Sequence, residues 1–146
     1  MARVEEPRPA APLKRRIDLP GGGRVVLMDS ISYLDASDAG AIVVSGSHGG
    51  ASSARYALGH PLAGAFFNDA GGGKDDAGVS GLRLLDAQGV PAGAVAHTSA
   101  RIGDAEDAWA AGVLSAVNRA AARVGLRPGM VLRDAAALVA SATQHA

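Results

Sequence analysis

The sequence predicts a single α/β domain of three layers: a mostly parallel sheet of about four strands with helices on both faces, Rossmann-like or flavodoxin-like in plan. Three observations predict it. Short apolar runs alternate with segments of helical period. The runs are continuous rather than alternating, as in strands buried on both faces. Three of them break into polar, glycine-bearing turns, and parallel α/β sheets bind ligands outside the carboxyl ends of their strands.

Met1 to Arg16 is rich in Pro, Arg, Lys and Glu and has no apolar period, so 1–16 reads as a flexible arm and 17–146 as the domain. The turn Leu19-Pro20-Gly21-Gly22-Gly23 leads into a first strand, Arg24–Met28. Asp29 and Ser30 follow it and read as turn or cap residues. A second strand, Ala41–Ser45, breaks into Gly46-Ser47-His48-Gly49-Gly50, and a helix covers Ala51–Leu58. A third strand, Ala63–Phe67, runs into Asn68-Asp69-Ala70-Gly71-Gly72-Gly73-Lys74-Asp75-Asp76, and a helix covers about Ala77–Ala87, with Val79, Leu82 and Leu85 on one face. A fourth strand, Ala92–Ala96, runs into His97-Thr98-Ser99-Ala100-Arg101. The longest helix is predicted over about Ala105–Val124, with Trp109, Val113, Val117, Ala121 and Val124 as its apolar stripe. A last helix starts at Arg127-Pro128-Gly129 and ends near Ala142.

Composition narrows the partners. Aromatics are only 3% of the chain, and Ala, Val, Leu and 20 Gly supply the bulk, so each core residue buries little area and a homo-oligomer is expected. The formal net charge is zero and no basic stripe occurs, which argues against nucleic acid and against an anionic membrane surface. The absence of cysteine excludes disulfides, a thiolate nucleophile and cysteine-ligated zinc. No apolar run has the length of a membrane span, and the first residues lack a signal-peptide core, so a cytoplasmic location is the expectation.

Three strand ends deliver polar turns to one edge of the predicted sheet, and the candidate site is drawn from them. The proposed catalytic groups are His48, Ser47, Asp69, Lys74 and His97. His48 would be the base on water, or on Ser47 or Ser99, and Asp69 would orient His48 or His97. The proposed substrate-binding groups are Gly46, Gly49, Gly50, Asn68, Thr98, Ser99 and Arg101. The Gly49 and Gly50 N–H groups would face an oxyanion, and Lys74 and Arg101 a carboxylate. Each has a plainer alternative. Asn68 and Asp69 suit an Asx turn, Thr98 and Ser99 suit helix caps, Lys74 suits a solvated loop, and Arg101 could simply pair with Asp104. No His/Asp pair has the spacing of a metal motif, and no metal or cofactor is expected.

The implied reaction is hydrolysis of an amide or ester in a small carboxylate-bearing metabolite, with a lyase next. The alternative is a non-catalytic ligand-binding module or an accessory subunit of a larger enzyme. Gly71-Gly72-Gly73-Lys74 resembles a phosphate loop, but Asp75 stands where such a loop has a hydroxyl, which excludes ATP or GTP binding of that type. A strand ending in His48-Gly49 and the next ending in Asp69-Ala70 plus glycines is similar to the caspase-type peptidases. In that family the second motif continues with the nucleophilic cysteine; here Gly71 follows, so no activity is carried over.

Overall fold

Every residue of Val25–Met28, Ile42–Val44 and Gly64–Asn68 is buried. Strands without a wet face belong in the middle of a sheet covered on both sides, and the computed structural model, which describes residues 13–144 with the side chains of Asp75 and Gln144 excepted, places them there. The sheet has six strands: β1 (Lys14–Asp18), β2 (Arg24–Met28), β3 (Ile42–His48), β4 (Gly64–Asn68), β5 (Ala92–Val95) and β6 (Leu114–Val117). Their spatial order is their order in the chain. β2 to β5 run parallel, and β1 and β6 close the two edges antiparallel.

Each parallel connection steps one place in the same direction. Right-handed crossovers then put every one of them on one face. That face carries the 3-10 turn Ile31–Tyr33, helix α1 (Ala51–Leu58) and helix α2 (Leu82–Ala87), which pack Ile31, Ala54, Ala57, Leu82 and Leu85 against Val26, Met28, Val43 and Phe67. The chain after β5 covers the other face. Helices α3 (Ala105–Ala111), α4 (Arg119–Arg123) and α5 (Leu132–Gln144) pack there against Val25, Leu27, Ile42, Val44 and Phe66. Phe66 and Phe67, adjacent in β4, thus anchor opposite faces.

Three expectations are corrected. The sheet has six strands rather than about four, both edge pairs are antiparallel, and strand order runs straight through without the reversal of a doubly wound sheet. Of the predicted arm, Lys14–Arg16 lie in β1 and Leu13 packs against the core, while 1–12 falls outside the described residues. β1 is held by its ladder and by Lys14, whose ammonium reaches Asp38 at 2.8 Å, the Tyr33 carbonyl at 2.8 Å and Asp35 at 3.1 Å. The helix expected over 105–124 is three elements: α3, β6 and α4. α3 ends at Gly112, whose backbone turns extended so close to the Ala108 carbonyl that a Cβ would sit 2.4 Å from it. Asn118 then starts α4 as its N-cap, accepting from Ala121 N–H at 2.9 Å.

β3 carries the feature that shapes the site. Its pairing with β4 jumps from Val44↔Phe66 to His48↔Asn68, so four steps along β3 match two along β4. Bulges of this kind re-aim side chains at strand ends. The displaced stretch brings Gly46 against the loop before α3, where Gly103 N–H donates to the Gly46 carbonyl at 2.7 Å. A Cβ at residue 46 would lie 2.6 Å from the Asp29 carbonyl oxygen and from Gly103 C. Gly46→Ala is therefore expected to cost about 1–3 kcal/mol through overpacking. Gly21→Ala, at a position with open space, should stay within about 1 kcal/mol of the parent. Urea denaturation of both variants checks the contrast.

Candidate functional site

The edge formed by the carboxyl ends of β3, β4 and β5 gathers His48, Asn68, Asp69 and His97. β6 runs antiparallel, so its first residues lie at this same edge and add Ser115. The strand–turn pattern signals the first four residues. Nothing in it signals Ser115, which falls inside the predicted long helix.

Asp69 is the centre of the cluster. Its Oδ1 accepts from Gly71 N–H at 2.8 Å and from His97 N–H at 3.0 Å, and lies 3.3 Å from His97 Nδ1. Its Oδ2 accepts from the Ser115 hydroxyl at 2.7 Å. Burial opposes the charge on Asp69, but the Ser115 hydroxyl, the Gly71 and His97 N–H groups and the His97 ring outweigh it and hold the carboxyl below its ordinary range. An ionised carboxylate only accepts. His97 therefore donates from Nδ1, and in the neutral ring its Nε2 carries a lone pair.

His48 is arranged the other way. Its Nδ1 accepts from Gly50 N–H at 3.0 Å, so the neutral ring carries its proton on Nε2. Gly50 makes the contact possible, since a Cβ there would meet that nitrogen at 2.7 Å. In their neutral forms the two exposed imidazoles at this edge thus present opposite polarities at Nε2: His97 a lone pair, His48 an N–H.

The other predicted residues fall into place around them. Asn68 is buried and structural, donating to the Ala100 carbonyl at 2.9 Å and accepting from Ala70 N–H at 2.8 Å. Ala70 takes left-handed backbone, φ 53°, which costs an L-residue roughly 1–2 kcal/mol; the Asn68 and Asp69 side chains hold the chain there. The Ser47 hydroxyl oxygen accepts from Ile31 N–H at 3.0 Å. The Ser99 hydroxyl donates to the Ala96 carbonyl at 2.7 Å and accepts from Val113 N–H at 3.0 Å. Gly49 N–H donates to the Asn68 carbonyl at 3.1 Å and Gly50 N–H to His48, so neither faces outward as an oxyanion donor. Gly46 is buried against the α3 loop. Thr98 and Lys74 are exposed, Lys74 opening the 3-10 turn Lys74–Asp76. Arg101 is exposed, 3.7 Å from Asp107 and 4.0 Å from Asp104.

Asp29, read as a turn or cap residue, does cap: its carboxylate takes Ala105 N–H at the start of α3 at 3.0 Å. Among the described residues no group of three or more His, Asp or Glu is placed to hold a metal ion. No helix among them is long and apolar enough to cross a membrane.

No protein-family model, curated protein or solved structure matches this chain. Fold and site define it as an α/β protein carrying a histidine–aspartate pair and a second imidazole at one edge of a mixed sheet.

The Asp69 carboxyl lies below its ordinary value in the folded chain. Its contribution to stability is present above about pH 3.9, the ordinary aspartate value, and is lost as pH falls through the lower folded value. Asp69→Asn should cost about 1–3 kcal/mol at pH 7. The gap to the parent should narrow on acidification below pH 4 or so. Urea midpoints of parent and variant across pH 2.5–7, roughly spanning the aspartate range, measure it.

Proposed function

We propose that the protein is an enzyme that hydrolyses an amide or ester in a small carboxylate-bearing metabolite at the His97–Asp69 edge of the sheet. The observation that carries this reading is the 3.3 Å contact of His97 Nδ1 with an ionised Asp69 held by three further donors. A carboxylate behind Nδ1 stabilises the imidazolium that forms when Nε2 takes a proton.

Water is the proposed nucleophile, because the Ser47 and Ser99 hydroxyls are tied into the fold. His97 Nε2 takes a proton as the water oxygen bonds to the substrate carbonyl carbon. His48 Nε2–H donates to the carbonyl oxygen as negative charge grows there. The carbon–nitrogen or carbon–oxygen bond then breaks, and the His97 imidazolium gives its proton to the departing amine or alcohol. Lys74 and Arg101, on the flanking loops, supply the positive charge for the substrate's carboxylate. A lyase would use the same base on a C–H bond. The proposal includes a cytoplasmic homo-oligomer, since a core with only two phenylalanines gains from further burial between copies.

One observation favours the non-catalytic alternative, a ligand-binding module or an accessory subunit: the His97 side chain is 54% exposed, so the site lies open. Turnover of a panel of N-acyl and ester derivatives of small carboxylic acids separates the readings. The expected result is turnover that His97→Gln lowers by about 10²–10⁴-fold, while Lys74→Ala and Arg101→Ala mainly raise KM. Turnover untouched by His97→Gln would place the base elsewhere. Binding without turnover, seen as a rise in Tm that Arg101→Ala abolishes, would make the protein a binding module.

A further inference from the structure

Ser115 stands at the start of an edge strand, forty-six residues from Asp69 in sequence, and it is exposed. Packing does not explain it. Its hydroxyl has two acceptors in reach, Asp69 Oδ2 at 2.7 Å and the Ala94 carbonyl at 3.4 Å, and the shorter contact is the one to the carboxylate. To make it, Asp69 reaches from the end of β4 across β5 to β6.

The two oxygens of Asp69 are held unequally. Oδ1 has the Gly71 and His97 N–H groups and the His97 ring, whereas Oδ2 has Ser115 alone among the described residues. The terminal torsion of aspartate is soft and nearly two-fold. The contact most sensitive to its rotation is the longest one, Oδ1 to His97 Nδ1 at 3.3 Å, because hydrogen bonds weaken steeply with distance and angle.

We propose that Ser115 is a positioning residue: by fixing the plane of the Asp69 carboxylate it keeps the His97 proton on Nδ1 and leaves Nε2 free to act as the base. This rests on the reading of His97 as the base. A second effect works in the same direction. The Ser115 hydroxyl is the largest of the interactions that keep Asp69 ionised against its burial, and a neutral Asp69 no longer obliges Nδ1 to donate. Ser115 does not touch the substrate. It acts through Asp69 on His97, as outer partners of catalytic and metal-bound histidines set their tautomers.

The test is the ring-nitrogen spectrum of His97 in protein labelled with ¹⁵N at histidine, recorded at a pH where the ring is neutral, with the ¹³C titration of the Asp69 carboxyl alongside. In the parent His97 should show the Nδ1–H form. Ser115→Ala should move it substantially toward Nε2–H and raise the Asp69 titration, Ser115→Thr should restore both, and the His48 signals should stay put as an internal control. Parent-like His97 and Asp69 signals in Ser115→Ala would overturn the role of Ser115 and leave the His97–Asp69 pair standing. An Nε2–H form in the parent itself would overturn both. If Ser115→Ala shifts His48 as well, the change is a general rearrangement of the edge and the positioning role falls.

Discussion

The Asp69 carboxylate is the interaction on which the rest of this edge depends. It accepts hydrogen bonds from three separate stretches of chain: the glycine turn after β4, His97 in the loop just past β5, and Ser115 near the start of β6. A single ionised group with that many donors is worth more than an exposed ion pair, because its donors are already arranged and water is partly excluded. Its neighbour Asn68 serves the interior, tying β4 to Ala100. One residue points into the fold and the next into the site, as the strand period requires.

The second constraint is close approach of backbone to backbone. The bulge in β3 carries Gly46 into contact with Gly103 and Asp104, and the turn after it leaves no room for a side chain at residue 50 beside His48. The strained Ala70 and the run of left-handed glycines after it fold the loop back beneath His97. The strain gathers at the strand ends that carry the polar residues, which is where proteins that use such residues tend to store it. Chemistry and packing therefore compete for the same few positions, and glycine resolves the competition.

The parallel strands were legible in sequence because burial on both faces leaves a continuous apolar run, and Arg24–Met28 coincides with its predicted bounds. The edge strands were not. β1 is almost wholly charged, and its stability comes from hydrogen bonds and Lys14 rather than from an apolar pattern. β6 was hidden because Val113, Val117, Ala121 and Val124 happen to keep helical spacing in an alanine-rich stretch; Gly112 and Asn118 were the punctuation that divides it. His48, Asp69 and His97 could be found as polar groups at strand ends. Their roles could not, because a tautomer is set by what lies behind the ring, and Ser115 could not be placed near Asp69 without β6. The serines singled out beside the histidines proved to be occupied by backbone groups, a use of hydroxyls that sequence alone does not separate from catalysis.

The chemistry proposed for this edge requires its two histidines, when neutral, to carry their protons on opposite nitrogens. Neutron diffraction from a deuterium-exchanged crystal near neutral pH tests it most directly. The expected density has a deuteron on Nδ1 of His97, facing an unprotonated Asp69, and on Nε2 of His48, facing outward. Deuterons on the same nitrogen of both rings, or on the Asp69 carboxyl, would contradict it.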